Sequence, residues 1–407
     1  GPHGPERERN PVASRADDRA RPATRSLLND RRVRDFVLQA LAVAAVVAGV
    51  AYIVHNTATN LQHRGIASGF GFFDDVSGFD IGIALIPYSL TSSYGRAFLV
   101  GLVNTLVVAA VGVVLATVLG FVLGVLRLSK NWILARLATA YVEVIRNIPL
   151  LLQILFWYFG VLSTLPALRN SLSIADWFFL NNRGVYSPAL IPEPGFWAMP
   201  AALVLGLVGA AVLARWARRR QEATGQQFPS FRVGLALVVG LPLLAGLATG
   251  FPFSWEYPQL TGFNFSGGWA ILPEFIALLL ALTLYTAAFI GEIVRAGIQA
   301  VSHGQTEAAL ALGLRPGVTT RLIIIPQALR VIVPPLTSQY LNLTKNSSLA
   351  VAIGYPDLVS VFTGTVLNQT GQAVEVIVIT MLVYMSISLS ISLFMNWYNR
   401  RIALVER

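Results

Sequence analysis

The sequence contains no cysteine, only two lysines and only four histidines in 407 residues. Without cysteine there can be no disulfide and no thiolate metal site. His3, His55, His63 and His303 are scattered along the chain, so no metal site is expected. Neither lysine, Lys130 nor Lys345, follows a glycine, so the phosphate-cradling GxxxxGK[ST] loop is missing and ATP cannot be held by that device. No HExxH, nucleophile elbow or pair of catalytic carboxylates occurs, so no catalytic residue is expected. Charge is scarce as well. Only 12% of residues are Asp, Glu, Lys or Arg, about half the share in a soluble domain.

What fills the chain instead is apolar. Hydrophobic residues make up 55% and the mean hydropathy is +0.63. Several apolar runs reach the ~20 residues needed to cross a bilayer. The alternating ten-residue segments of a membrane β-barrel are absent. The fold class expected is therefore an all-α polytopic membrane protein. Eight spans are read, at about 36–54, 97–126, 137–162, 196–214, 233–249, 271–290, 331–353 and 376–395. The opening GPHG is set aside from this reading, and no cleavable signal-peptide pattern is expected.

The Lys and Arg residues alternate between the two sides. Nine lie in the first 35 residues, three in 127–136, five in 215–232, four in 295–330 and three at the C-terminus, 24 in all. The opposite side has four, Arg64, Arg96, Arg169 and Arg183, while Arg146 and Lys345 fall within spans. The positive-inside rule places the 24 and both termini in the cytoplasm. The net charge of +10 then reports orientation and implies no nucleic-acid partner. Residues 1–35, rich in Arg, Asp, Pro and Ala, read as a disordered cytoplasmic tail.

Ionisable groups inside spans need partners. Glu143 and Arg146 share a helix face by their three-residue spacing, beside the helix-bending Pro149. Glu292 and Arg295 repeat that spacing, and the two ion pairs are expected to cross-link their helices. Gly120 and Gly124 form a small-xxx-small pattern that permits close helix packing. Lys345 lies in an unusually polar segment with Asn342, Thr344, Asn346, Ser347 and Ser348, downstream of Pro334 and Pro335. Polar, broken backbone at membrane depth lines a cavity. Lys345 is read as meeting a substrate carboxylate, with Asn346, Ser347, Ser348 and Asn342 along the same pathway. The plainer alternative pairs Lys345 with a carboxylate such as Glu375 or has it tether backbone carbonyls.

Outside the membrane the sharpest stretch is Glu307 to Pro326, EAALALGLRPGVTTRLIIIP. A short helix is expected, capped by Thr306, with Glu307 in its first turn and Gly313 in a left-handed C-terminal position before Pro316. Ala308, Ala309 and Ala311 make it slim, while Leu310, Leu312 and Leu314 make it sticky. Such a rod suits a groove on another protein.

These residues resemble a family. EAA, then Gly313, Ile323, Ile325 and Pro326, follow the EAA-loop pattern of ABC importer permeases, with Ile325 where Leu is usual. FLVGLVNTLVVAAVGVVLATVLGFVLGVLRLS, YVEVIRNIPLLLQILFWYFG and LTKNSSLAVAIGYPDLV resemble the polar amino acid subfamily. The first helix and the inserted pair resemble the larger, Q-type permease subunits of general L-amino acid uptake systems. The resemblance implies a type I importer transmembrane domain in the bacterial inner membrane. Its parts would be a tail at 1–35, an extra helix and periplasmic loop at 36–96, and core at 97–160. An insertion would follow at 161–271, more core at 272–400 with the coupling loop at 302–326, and a tail at 401–407. It implies that Glu307, Ala308, Ala309, Gly313 and Pro326 couple the chain to a separate ATPase, a dimer that binds ATP and Mg, so this chain needs no cofactor. The other implied partners are a second homologous permease in a heterodimer, a periplasmic substrate-binding protein, an amino acid and membrane lipid. An ion-coupled secondary transporter using Lys345, Glu292 and Glu375 is the alternative, disfavoured because no internal repeat is visible. A non-transporting membrane scaffold would have no use for the polar seventh span.

Overall fold

The structure is a computed structural model and describes residues 31–63 and 69–402. The remainder of the expected N-terminal tail, Arg64, and the C-terminal residues 403–407 lie outside the described residues. The chain falls into two units, Gly1–Ser68 and Gly69–Arg407. The first holds helix α1, Arg31–His63, whose apolar run matches the first expected span but begins inside the segment read as tail. The second holds everything else, so the loop after residue 68 belongs with the core and not with the first helix.

That loop is anchored by aromatic packing. Phe72 is buried against Tyr94 and Phe362, and Phe73 meets Phe98. Phe72 and Phe73 complete a ring cluster with Tyr94, Phe98 and Phe362 that pins the loop to the core. Ser93 then caps α2, Tyr94–Arg127, its hydroxyl accepting the Arg96 N–H. One stripe of α2 is buried, including Val100, Asn104, Val108, Ala116, Gly120 and Gly124. It packs on α7, Pro273–Gln299. A Cβ on Gly120 would lie 2.5 Å from Ile290 Cβ, and one on Gly124 would lie 2.6 Å from Val294 Cβ. The small-xxx-small pattern is thus the seam where these two helices touch.

The third expected span is two helices. Asn131 caps α3, Trp132–Asn147, and α4, Leu150–Leu155, runs on through wider and tighter turns to Thr164. The two parts meet at 106°. Pro149 lacks an N–H, so the helix ends before it. Buried Gln153 donates from Nε2 to the Ile145 and Ile148 carbonyls, both 3.0 Å away, and so satisfies groups that the break exposes.

Between α4 and α7 lies the insertion. Eight short strands, absent from the sequence reading, support it: β1 Leu172–Ile174, β2 Phe178–Asn181, β3 Gly184–Ser187, β4 Ala189–Pro192, β5 Phe253–Glu256, β6 Gln259–Thr261, β7 Asn264–Ser266 and β8 Trp269–Ile271. They join as β1-β2-β3-β8, β4-β5 and β6-β7, all antiparallel. Pairing β3 with β8 and β4 with β5 zips the two ends of the insertion together. Above this stalk stand α5, Ala198–Thr224, and α6, Ser230–Thr249, packed as a hairpin with Gly206 against the Leu237 carbonyl.

After α7 come α8, His303–Ala311, and the short α9, Pro316–Thr319. A wide turn at Thr320–Ile324 leads into α10, Ile325–Asn346, and a tighter one follows at Ser347–Ile353. The residues from Val359 to Val366, expected as a connection, form a wide helical turn whose Val361, Phe362 and Val366 are buried. Then α11, Leu367–Thr370, and α12, Ala373–Ile402, complete the unit. Among the described residues seven helices are long and apolar enough to cross a membrane, or eight if the bent pair is one span.

Candidate functional site

Helix α8 begins four residues, about one turn, earlier than its sequence suggests. Ser302, not Thr306, occupies the N-cap position of α8, without a side-chain cap bond. Thr306 is inside the helix, and Glu307 lies beyond the first turn, 4.0 Å from His303 Nδ1. Only the far end follows the expected chemistry. Gly313 has φ +74°, the Leu314 N–H reaches the Ala309 carbonyl and the Gly313 N–H reaches Leu310. That is the double bond pattern that closes a helix through a left-handed glycine. Pro316 then starts α9 instead of merely stopping α8. Ala309 is buried, while Glu307, Ala308, Leu310 and Leu312 are exposed, with Leu312 at 81%. The rod therefore rests on one alanine and presents its other faces outward. Pro326 sits in the first turn of α10, after the Ile325 N–H has reached back to Thr320 in a five-residue turn. The wide turn accommodates the proline without a break.

Upstream, α8 is tied to α2 through α7. Glu292 is ion-paired with Arg295 on its own helix and with Arg127 at the end of α2. Arg295 Nη1 also donates to Gln299 Oε1 at 2.6 Å. The expected link between Glu143–Arg146 and Glu292–Arg295 does not form. No ion pair joins Glu143 to Arg146 among the described residues; Arg146 instead lies over the Phe289 ring, 4.9 Å from its centroid. A guanidinium over an aromatic face is attracted by the ring quadrupole, so Arg146 binds α7 without its carboxylate.

Lys345 is exposed and makes no ion pair among the described residues. Its proposed partner Glu375 is occupied elsewhere, accepting the Gly69 N–H at 2.7 Å. Lys345 and Ser348 line a cavity of about 450 Å³ whose opposite wall is Met381, Tyr384, Met385 and Ser388 of α12. Asn342 is exposed and Asn346 half-buried, on neighbouring turns. Ser347 departs from the expectation: it is fully buried, its Oγ donating to the Thr344 carbonyl at 2.7 Å. Helical geometry turns it away from Lys345, so it cannot line this cavity. A larger groove, about 840 Å³ between α2 and α12, has no charged side chain in its lining.

Two residues behind the cavity escaped the sequence reading. Asp357 is fully buried; its Oδ1 accepts the Ser360 N–H at 2.8 Å, and its Oδ2 accepts the Tyr384 hydroxyl at 3.3 Å. Asn104 of α2 donates to the Ile83 and Pro356 carbonyls. An acid within IGYPDLV was the available signal, but only folding brings it against α12.

Comparison with known proteins gives the family. Residues 223–404 match the family described as binding-protein-dependent transport system inner membrane component. The chain is 53% identical to the general L-amino acid transport system permease protein AapQ of Rhizobium johnstonii, over 94% of this chain and 96% of that one. It is 56% identical to the putative amino-acid ABC transporter permease protein YhdX of Escherichia coli, over 92% and 95%. The glutamate/glutamine/aspartate/asparagine transport system permease protein BztB of Rhodobacter capsulatus is 45% identical, over 94% and 96%. These matches run through the insertion as well as the core. The chain is a multi-pass permease subunit of an ABC importer and not an ion-coupled carrier, and it belongs to the ABC importer permeases of the polar amino acid subfamily.

Proposed function

We propose that this permease conducts L-amino acids across the bacterial inner membrane, in a heterodimer with a second, homologous permease. A dimer of ATPase subunits, which binds ATP and Mg, would grip α8 from the cytoplasm, and a periplasmic binding protein would deliver the substrate. The observation that carries this reading is the pairing of an outward-facing rod with an unpaired lysine in a cavity. Glu307, Ala308 and Leu310 stand free of the chain's own core, which suits a groove on the ATPase. Ala309 and Gly313 would hold the rod in place. Lys345 supplies one positive charge beside the neutral Ser348 and Tyr384, which suits the carboxylate of a zwitterion. Asn342 and Asn346 would continue the pathway, with Ser347 as internal support. Movement of α8 would pass through Glu292 to α2 and through the continuous helical segment 316–353 to Lys345. ATP can drive this only if the ATPase holds one state of the permease more tightly than the other. The test is uptake into vesicles containing the assembled complex. Uptake of L-amino acids that requires both ATP and the ATPase subunit is expected; uptake driven by an ion gradient alone overturns the proposal.

A further inference from the structure

The α5–α6 hairpin carries charge that the transport reading does not use. Arg215, Arg218, Arg219 and Arg220 end α5, and Arg232 stands in the first turn of α6. Arg220 is engaged, stacking on Trp216 and donating to Gln226. Arg218 and Arg232 are exposed and form no ion pair among the described residues, although Glu222 lies one turn from Arg218.

Beneath them the two helices leave an apolar groove of about 400 Å³. Ala210 and Ala214 line it from α5, and Phe231, Gly234, Leu235 and Val238 from α6. Ala210, Ala214 and Arg218 follow one another at four-residue intervals, which places Arg218 one turn beyond Ala214, past the lined part of the groove. Ser230 lines that end of the groove. The Phe231 and Arg232 N–H groups lie in the first turn of α6, where the helix's own ladder supplies no i−4 carbonyl, and among the described residues no loop or cap bond to them is seen. From Ser230 to Val238 the groove runs ~12 Å along the helix, close to the ~15 Å depth of one leaflet's hydrocarbon.

We propose that this hairpin binds one anionic phospholipid from the leaflet on the arginine-rich side. One acyl chain lies in the groove, and the phosphodiester sits between Arg218, Arg232 and the free N–H groups of α6. Charge complementarity selects the occupant. The groove's lining is uncharged, its walls are two helices long and apolar enough to cross a membrane, and near its Ser230 end the arginines outnumber the one carboxylate, Glu222.

The test uses the full chain in its assembled complex, in nanodiscs of phosphatidylglycerol and phosphatidylcholine with identical acyl chains. Native mass spectrometry counts the lipids retained. Preferential retention of phosphatidylglycerol is expected. Arg218→Gln should lower that preference about fivefold, the effect of one basic residue near a membrane surface. Ala214→Phe should remove retention by filling the groove. Arg219→Gln removes the same charge ~100° further round the helix and should leave the preference unchanged. Equal losses in R218Q and R219Q would mean a diffuse field and no site, and unchanged retention in R218Q would also overturn the proposal. Release of the ATPase by R218Q, with lipid retained, would assign the arginines to a protein contact instead.

Discussion

Gly313 tests whether the end of α8 works through backbone geometry or through bulk. Its φ is +74°, and a Cβ built there meets no atom within 4 Å. Crowding of a Cβ by this chain therefore cannot penalise Ala, and its cost must come from the left-handed conformation. That cost is about 1–2 kcal/mol for Ala, which corresponds to roughly a 5- to 30-fold fall in the correctly closed loop. Asn tolerates the left-handed region better than Ala, and β-branched Val worst. Activity should therefore fall in the order Gly313, Gly313→Asn, Gly313→Ala, Gly313→Val, although Asn is larger than Ala. The assay is the ATP-driven uptake rate of the reconstituted complex, alongside thermal unfolding of the permease. Uptake should fall while the unfolding temperature holds, because α8 lies outside the packed spans. An order that follows side-chain size, with Ala above Asn, would refute the strain argument and point to steric docking. Equal uptake by Gly and Ala would remove Gly313 from the coupling machinery.

Other perturbations separate packing from function. Gly124→Ala would place a Cβ 2.6 Å from Val294 Cβ and 2.8 Å from the Gly291 carbonyl; such overpacking costs about 1–3 kcal/mol, measurable as a lower unfolding temperature. Gly112→Ala meets no backbone, only side-chain ends, Leu343 Cδ2 at 3.3 Å and Leu279 Cδ1 at 3.8 Å, and should be nearly silent in the same measurement. Glu292→Gln leaves the largely buried Arg127 without its carboxylate. A loss of about 1–3 kcal/mol is expected, between the values for exposed and buried pairs, and an Arg127→Leu/Glu292→Leu double variant should recover part of it. Lys345→Met should abolish most uptake while the ATPase stays bound in co-purification; unchanged uptake kinetics would remove the lysine from the pathway.

Much of the membrane fold was legible in local chemistry. Apolar runs marked the spans because a bilayer demands about 20 such residues wherever a helix crosses. Pro149 marked the break in the third span, and Gly313 marked the end of α8, because both residues act on their own backbone. The EAA spacing identified the loop, since its pattern is contiguous. The strands of the insertion were not legible: each has only three or four residues, and β3 pairs with β8 across the whole hairpin. No periodicity survives in segments that short.

The sequence alone determined which segments cross the membrane, which side carries the arginines and which short rod projects from that side. Those properties follow from composition and from single-residue backbone preferences. Partnership was decided by tertiary structure. Glu292 and Arg295 share a helix turn, but only packing brought Arg127 from α2 to the same carboxylate. Arg146 exchanged its neighbour Glu143 for the Phe289 ring. Ser347 and Ser348 are adjacent, yet one is sealed in the core and the other lines the cavity with Lys345. A helix places neighbours on different faces, and the contacts available to each face depend on distant helices.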